Sequence, residues 1–261
     1  MNVLQNLTEL YNHLPLDSTY KEVAKGILMN LEEASNATIY DIAEMTNSSR
    51  TTVWRMVQKM GYQNYSDFRY ALKQAVGSYT YYNRMISQKR ITEESDIFDI
   101  MKEQLKTADE NFRKYLSVAE IAKLAELIAQ KEKVYFYLSY QSSAIGALQQ
   151  NLFFSGKETG ACTLLPDMQE NAELLNDKSM VFIMTIEHAE AQDMTTVFEA
   201  LKKNNCEVFM VSCVESRYTK YVDHYLLREQ PSTSVIADLM FFELYFWSLN
   251  EIYRYNYIDN K

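Results

Sequence analysis

The amino-acid sequence predicts an all-helical segment followed by an α/β segment built on a parallel sheet. Three observations predict it. Up to about Val76 the apolar residues recur at helical spacing. Further on, Val134–Leu138, Met180–Met184 and Val208–Ser212 are short continuous apolar runs, as expected of strands buried on both faces of a parallel sheet. Helical stretches at about 142–154 and 189–203 follow the first two runs, so strand and helix alternate.

Within the helical segment, Thr38–Gly61 reads as two short helices joined by a tight turn. Ala43 sits where the helices cross and only a small side chain fits. Asn47 comes four residues later, where the turn needs a left-handed backbone that Gly or Asn tolerates best. Val53 and Met56 pack the second helix back on the first, and Val57 and Met60 extend the stripe. Ser48 or Ser49 can N-cap that helix, and Gly61 can close it. The pattern is that of a helix-turn-helix, whose second helix, about Ser49–Met60, enters a DNA major groove with its first residues nearest the bases.

Arg50, Thr51 and Arg55 are the candidates for base contact, and Ser48, Lys59, Arg69 and Lys73 for phosphate contact. Ser49 and Thr52 complete the set. Trp54 has two readings, contact with sugar or thymine methyl surface and packing beside the bundle. The whole chain carries a formal charge of -9, which repels nucleic acid. Between Ser48 and Lys73, however, Arg50, Arg55, Lys59, Arg69 and Lys73 stand against Asp67 alone, five minus one, a local +4. Surface fields fade over roughly 8 Å at physiological salt, so the local sign decides.

Residues 1–76 form the predicted helical domain, 77–95 a linker without clear periodicity, and 96–261 the second domain. Two helices open that second part, Ser95 to about Tyr115 and Ser117 to about Gln130, with stripes through Ile97, Ile100, Met101 and Leu105 and through Ile121, Leu124, Leu127 and Ile128. Weaker strands at Ala161–Leu165 and His224–Leu227 bring the sheet to about five strands. A long apolar helix from Thr233 to about Tyr255 follows. Its most apolar part, Val235–Leu249, is interrupted by Asp238 and Glu243 and is too short to span a bilayer.

Composition narrows the class further. A 47% hydrophobic content can supply a core for each of two domains. Cys162, Cys206 and Cys213 form no CxxC pair and read as reduced thiols. No basic segment followed by an apolar stretch opens the chain, so a cytoplasmic protein without a signal peptide is expected. His13, His188 and His224 are too scattered for a metal site, and no cofactor is expected.

The stretch Thr19–Leu72 resembles the N-terminal domain of RpiR-type bacterial transcriptional regulators. The resemblance rests on Ile39, Ile42, Ala43, Ser49, Thr52, Val53, Arg55, Lys59, Gly61 and Tyr62, followed by Tyr65, Ser66, Phe68, Arg69, Ala71 and Leu72. The run Gly61-Tyr-Gln-Asn-Tyr-Ser-Asp-Phe-Arg69 is the distinctive continuation that generic helix-turn-helix domains lack. It implies a C-terminal sugar-isomerase (SIS) domain of flavodoxin-like fold that senses a phosphorylated sugar.

The ligand motifs of that family are eroded here. Its Gly-x-Gly-x-Ser turn after the first strand is Leu138-Ser139-Tyr140-Gln141-Ser142, with both glycines replaced. Its Ser-x-Ser-Gly-x-Thr stretch is Thr185-Ile186-Glu187-His188-Ala189-Glu190, where Glu187 brings negative charge to the phosphate position. The effector-contact candidates are therefore Ser139, Ser142, Ser143, Thr185, Glu187, His188 and Glu190, with an effector held mainly by Ser142, Ser143 and Thr185. Three readings of Glu187, His188 and Glu190 compete: acidic residues stabilising the first turn of a helix from Ala189, a pocket of changed selectivity, and proton shuttling in an aldose–ketose isomerisation.

Taken together, these residues lead to the expectation of a sequence-specific DNA-binding transcriptional regulator, not an enzyme, acting on carbohydrate genes through a sugar-derived effector. Its expected partners are an operator duplex and a second copy, as homodimer or homotetramer, with no membrane. The alternatives are a SIS-type sugar-phosphate isomerase with an accessory domain and a SIS oligomerisation scaffold that binds no small molecule.

Overall fold

The computed structural model describes residues 3–77, 86, 90–138, 142–185, 193–212, 216–227 and 235–260. The chain divides into two compact units, one built mainly from residues 1–84 and the other mainly from 85–261. Among the described residues no helix is long and apolar enough to cross a membrane.

The first unit is all helix: α1 (Val3–His13), α2 (Thr19–Met29), α3 (Leu31–Asn36), α4 (Ile39–Met45), α5 (Arg50–Lys59) and α6 (Tyr65–Gly77). Each helix contributes an apolar stripe to one core, in which Leu7, Val23, Ile27, Ile42, Val53, Met56, Phe68 and Leu72 are fully buried. Local chemistry sets the helix ends. Thr38 and Asp41 form a reciprocal capping box at the start of α4, Thr38 Oγ1 accepting from Asp41 N while Asp41 accepts from Thr38 N. These donors hold the Asp41 carboxyl below its ordinary range. Ser49 N-caps α5 by accepting from Thr52 N at 3.1 Å.

The second unit is a doubly wound α/β domain. Two helices, α7 (Glu94–Tyr115) and α8 (Val118–Gln130), lead into β1 (Lys133–Leu138), α9 (Ser143–Phe154), β2 (Glu158–Cys162), α10 (Leu165–Leu174), β3 (Ser179–Thr185), α11 (Thr195–Lys203), β4 (Glu207–Ser212), β5 (His224–Leu227) and α12 (Val235–Arg254). All neighbouring strands are parallel, in the order β2-β1-β3-β4-β5. This is the flavodoxin-like order, with its switch point between β1 and β3. Alternation along the strands sends Phe136, Phe182 and Val211 into the core shared with α8, α9 and α12. Phe136 stacks on Phe182 with ring centres 5.2 Å apart, and Phe246 of α12 meets both edge-on. Tyr137 points to the opposite face, where its hydroxyl donates to Asn171 of α10, and α11 adjoins α10 through Asn204.

The structure corrects three expectations. The second strand runs over Glu158–Cys162 rather than 161–165, because its pairing is fixed by Lys133 opposite Glu158 and by the close approach of Gly160 to the Tyr135 ring. Leu165–Leu174 is a helix, its stripe reduced to Met168 and Ala172 among polar residues. The helix after β3 starts at Thr195, since Asp193 and Met194 are not helical.

Candidate nucleic-acid interface

The turn between α4 and α5 depends on Asn47, whose φ of 47° is left-handed. That kink lets Ser48 N donate to Ala43 O at 2.8 Å and Asn47 N donate to Glu44 O at 3.1 Å. Ala43 is buried where the two helices pack. With Val53, Met56 and Val57 turned inward, α5 leaves Arg50, Thr51, Arg55 and Lys59 exposed, and Thr52 half-buried. Ser49 is exposed at the cap, and its hydroxyl also pairs with Thr52 Oγ1 at 2.9 Å. Ser48 is half-buried and its hydroxyl meets Thr46 Oγ1 at 2.8 Å. Arg69 and Lys73 lie on α6, the first half-buried and the second exposed. Trp54 is half-buried against the helical core, which favours the packing reading of this residue. The nearby carboxylates are engaged elsewhere: Asp41 with Thr38, and Asp67 with Asn64.

One residue on this face escaped the sequence reading. Tyr40, on α4, is 62% exposed, and the Arg50 guanidinium lies over its ring at 4.5 Å from the centroid. The stack holds a long cation at the start of α5. No local pattern marks it, because the partners lie on different helices.

The run after Gly61 is a clasp. Gly61 itself takes a φ of 90° and ends α5. Asn64 accepts from Asp67 N at 2.9 Å and so starts α6. Tyr62 meets Phe68 edge-on, and the Tyr65 hydroxyl donates to Ala37 O at 3.0 Å. Burial pushes both tyrosines up to about 12, so the Tyr65 hydroxyl stays a neutral donor. These contacts pin α6, with Arg69 and Lys73, to the helix-turn-helix.

In the α/β unit the crevice at the β1/β3 switch point lies beyond the carboxyl ends of those strands. Ser142 and Ser143 sit at the start of α9, and both are already engaged. Ser142 caps the helix by accepting from Ile145 N at 3.2 Å, and Ser143 Oγ donates to Glu243 Oε2 at 3.0 Å. Thr185 ends β3, paired with Ser212. Ser139, Glu187, His188 and Glu190 lie outside the described residues, as does Cys213. Cys206 is buried, and burial pushes its thiol up to about 11.

An N-terminal helix-turn-helix with an exposed basic face, followed by a doubly wound parallel domain, defines the class of two-domain helix-turn-helix proteins. Residues 1–78 match the helix-turn-helix domain of the rpiR family, and the N-terminal domain belongs to that family. The C-terminal α/β domain carries five parallel strands in the flavodoxin-like order. The chain is similar to the HTH-type transcriptional regulator HexR of Escherichia coli K12, with 28% identity over 155 residues, 59% of this chain and 52% of that protein. It thus spans about half the length of the curated relative it matches. Among solved structures it is similar to the Vibrio vulnificus NanR protein complexed with ManNAc-6P, at 20% identity and a TM-score of 0.47, covering 98% of this chain and 93% of that one. It is also similar to the sugar isomerase domain of an RpiR transcription factor from Sphaerobacter thermophilus, at 12% identity and a TM-score of 0.42, covering 60% of this chain and 96% of that one.

Proposed function

We propose that this chain is a sequence-specific transcriptional regulator of carbohydrate genes that responds to a sugar-derived effector. Residues 1–76 are the DNA-binding domain of this reading, 77–95 the linker and 96–261 the effector and assembly domain. The observation that carries it is the exposed row Arg50, Thr51, Arg55 and Lys59 on α5, held at a fixed angle by the left-handed Asn47 turn. Arg50, Thr51 and Arg55 read base edges; Ser48, Lys59, Arg69 and Lys73 hold phosphates and set the register. One such helix supplies few contacts, so two copies related by a dyad bind half-sites about 34 Å apart or a multiple of it.

The rpiR-family match and the likeness to HexR support the regulatory reading. That NanR was solved with ManNAc-6P is in keeping with a sugar-derived effector in the second domain. Transcriptional regulation places the protein in the cytoplasm, and nothing in the mechanism calls for catalysis. Footprinting of the purified protein on its own and neighbouring upstream regions tests the reading. A protected, roughly two-fold symmetric site is expected. Uniform coating of every fragment, or no binding, would overturn it.

A further inference from the structure

Gly26 lies in the interior of α2, where glycine is destabilising relative to alanine. Its backbone is helical and not left-handed, so conformational freedom does not call for it. The reason lies across the helix packing. A β-carbon at residue 26 would stand 2.5 Å from Thr46 Cγ2, whereas Thr46 Cβ and Cα would be at 3.4 and 3.7 Å, ordinary contact. One methyl group is what excludes a side chain from position 26.

That methyl cannot swing aside freely. Thr46 ends α4, and its hydroxyl donates to Ile42 O at 2.7 Å. With its one proton used, the same oxygen accepts from the Ser48 hydroxyl at 2.8 Å. Both γ-substituents of threonine turn together about a single torsion, so the bonds of the hydroxyl fix the methyl against α2. Thr46 directly precedes the left-handed Asn47 and the Ser48 N–H that donates to Ala43 O. A push on Thr46 is thus passed to residues 47–49, from which α5 starts. The backing is firm: Val23, Ala24 and Ile27 of α2 are fully buried in the helical core, and α2 packs against both α4 and α5.

We propose that Gly26 is a positioning residue for DNA recognition: α2 bears on Thr46, and the missing side chain at 26 sets where the turn and the amino end of α5 stand. This rests on the reading of α5 as the recognition helix. Base contacts need side chains placed to within roughly 0.5 Å, whereas attraction to phosphates tolerates small displacements. Gly26→Ala should therefore blunt discrimination between sequences more than affinity for DNA at large, although α2 carries none of the candidate contacts.

Thr46→Ser supplies the complementary change. It keeps the hydroxyl and removes only the methyl, leaving the atoms of residue 46 at 3.4 Å or more from an alanine β-carbon at 26. The full-length wild type, Gly26→Ala, Thr46→Ser and the double variant are titrated by anisotropy with the footprinted operator duplex and with a shuffled duplex of equal length. Amide hydrogen exchange over residues 43–50 is followed on the same proteins without DNA. Gly26→Ala should lose on the order of tenfold in operator affinity, hold the shuffled duplex to within about twofold, and exchange faster over 43–50. The double variant should return to within about threefold of wild-type operator affinity and to wild-type exchange. A folded Gly26→Ala with wild-type operator affinity would overturn the proposal. So would an equal loss on both duplexes, or a double variant that recovers nothing. Should Gly26→Ala not fold, the double variant decides alone: its folding and operator binding support the proposal, and their failure refutes it. A wild-type chain that does not distinguish the two duplexes defeats the DNA-binding reading instead, and the exchange data then decide by themselves whether α2 sets the turn.

Discussion

Replacing Asn47 tests the turn on which the DNA-facing geometry depends. Its φ of 47° lies where a β-carbon clashes with the backbone, at a cost of roughly 1–2 kcal/mol for an ordinary residue and less for Asn. The Asn47 side chain is exposed, so Asn47→Ala removes little packing and its effect isolates the backbone. A loss of about 1 kcal/mol is expected. Asn47→Gly relieves the strain but adds freedom to the unfolded chain, worth roughly 0.4–1 kcal/mol, and the two nearly cancel. The chain has two tryptophans, Trp54 in the helical unit and Trp247 on α12, so a Trp247→Phe background makes fluorescence report the helical unit alone. With a urea slope of about 1–3 kcal/mol per molar, Asn47→Ala should lower the Trp54 midpoint by roughly 0.3–1 M, and Asn47→Gly should barely move it. Equal midpoints for Ala and wild type, or an equal loss for Ala and Gly, would refute the reasoning.

Three further outcomes follow from single contacts. Tyr40→Ala frees the Arg50 guanidinium from its ring and should weaken operator binding about two- to fivefold, while Tyr40→Phe keeps the affinity; anisotropy titrations check this. Burial raises the Glu207 carboxyl but hydrogen bonds from Lys131 and His224 outweigh it, leaving it below its ordinary value. Its stabilisation is therefore complete above about pH 4.3 and is lost as pH falls through the lower folded value, so Glu207→Gln should flatten the acid limb of a urea-midpoint profile. Gln104 on α7 is buried, its Oε1 without a hydrogen-bond partner among the described residues, and Gln104→Met should raise the Trp247-reported stability by about 1 kcal/mol, an unchanged or lower stability counting against it.

The elements legible in the sequence are those whose signals are local. Asn47, the Ser49 cap and the Val53–Met56 spacing sit within one turn of what they control, and each appears where the sequence places it. Buried strands such as Ser179–Thr185 announce themselves as continuous apolar runs. The edge strand Glu158–Cys162 does not, because one neighbour and polar residues leave it little apolar character, and its register is set by β1. The helix Leu165–Leu174 hides for a similar reason, with few inward residues, although Pro166 in its first turn is a start signal. Tyr40 and Glu243 were beyond reach. Their partners lie on other helices, and in the sequence Glu243 is legible only as an interruption of an apolar stretch.

The salt dependence of operator affinity, compared between the wild-type chain and the Arg50→Ala/Arg55→Ala variant, tests the central claim most directly. If the exposed face of α5 is the DNA-binding surface, the affinity of the wild-type protein falls steeply with salt. The double variant should lose roughly 1–3 kcal/mol or more of specific binding, and each arginine that touches a phosphate should lower the slope by about one. A salt-insensitive complex, or full operator binding by the double variant, would contradict it.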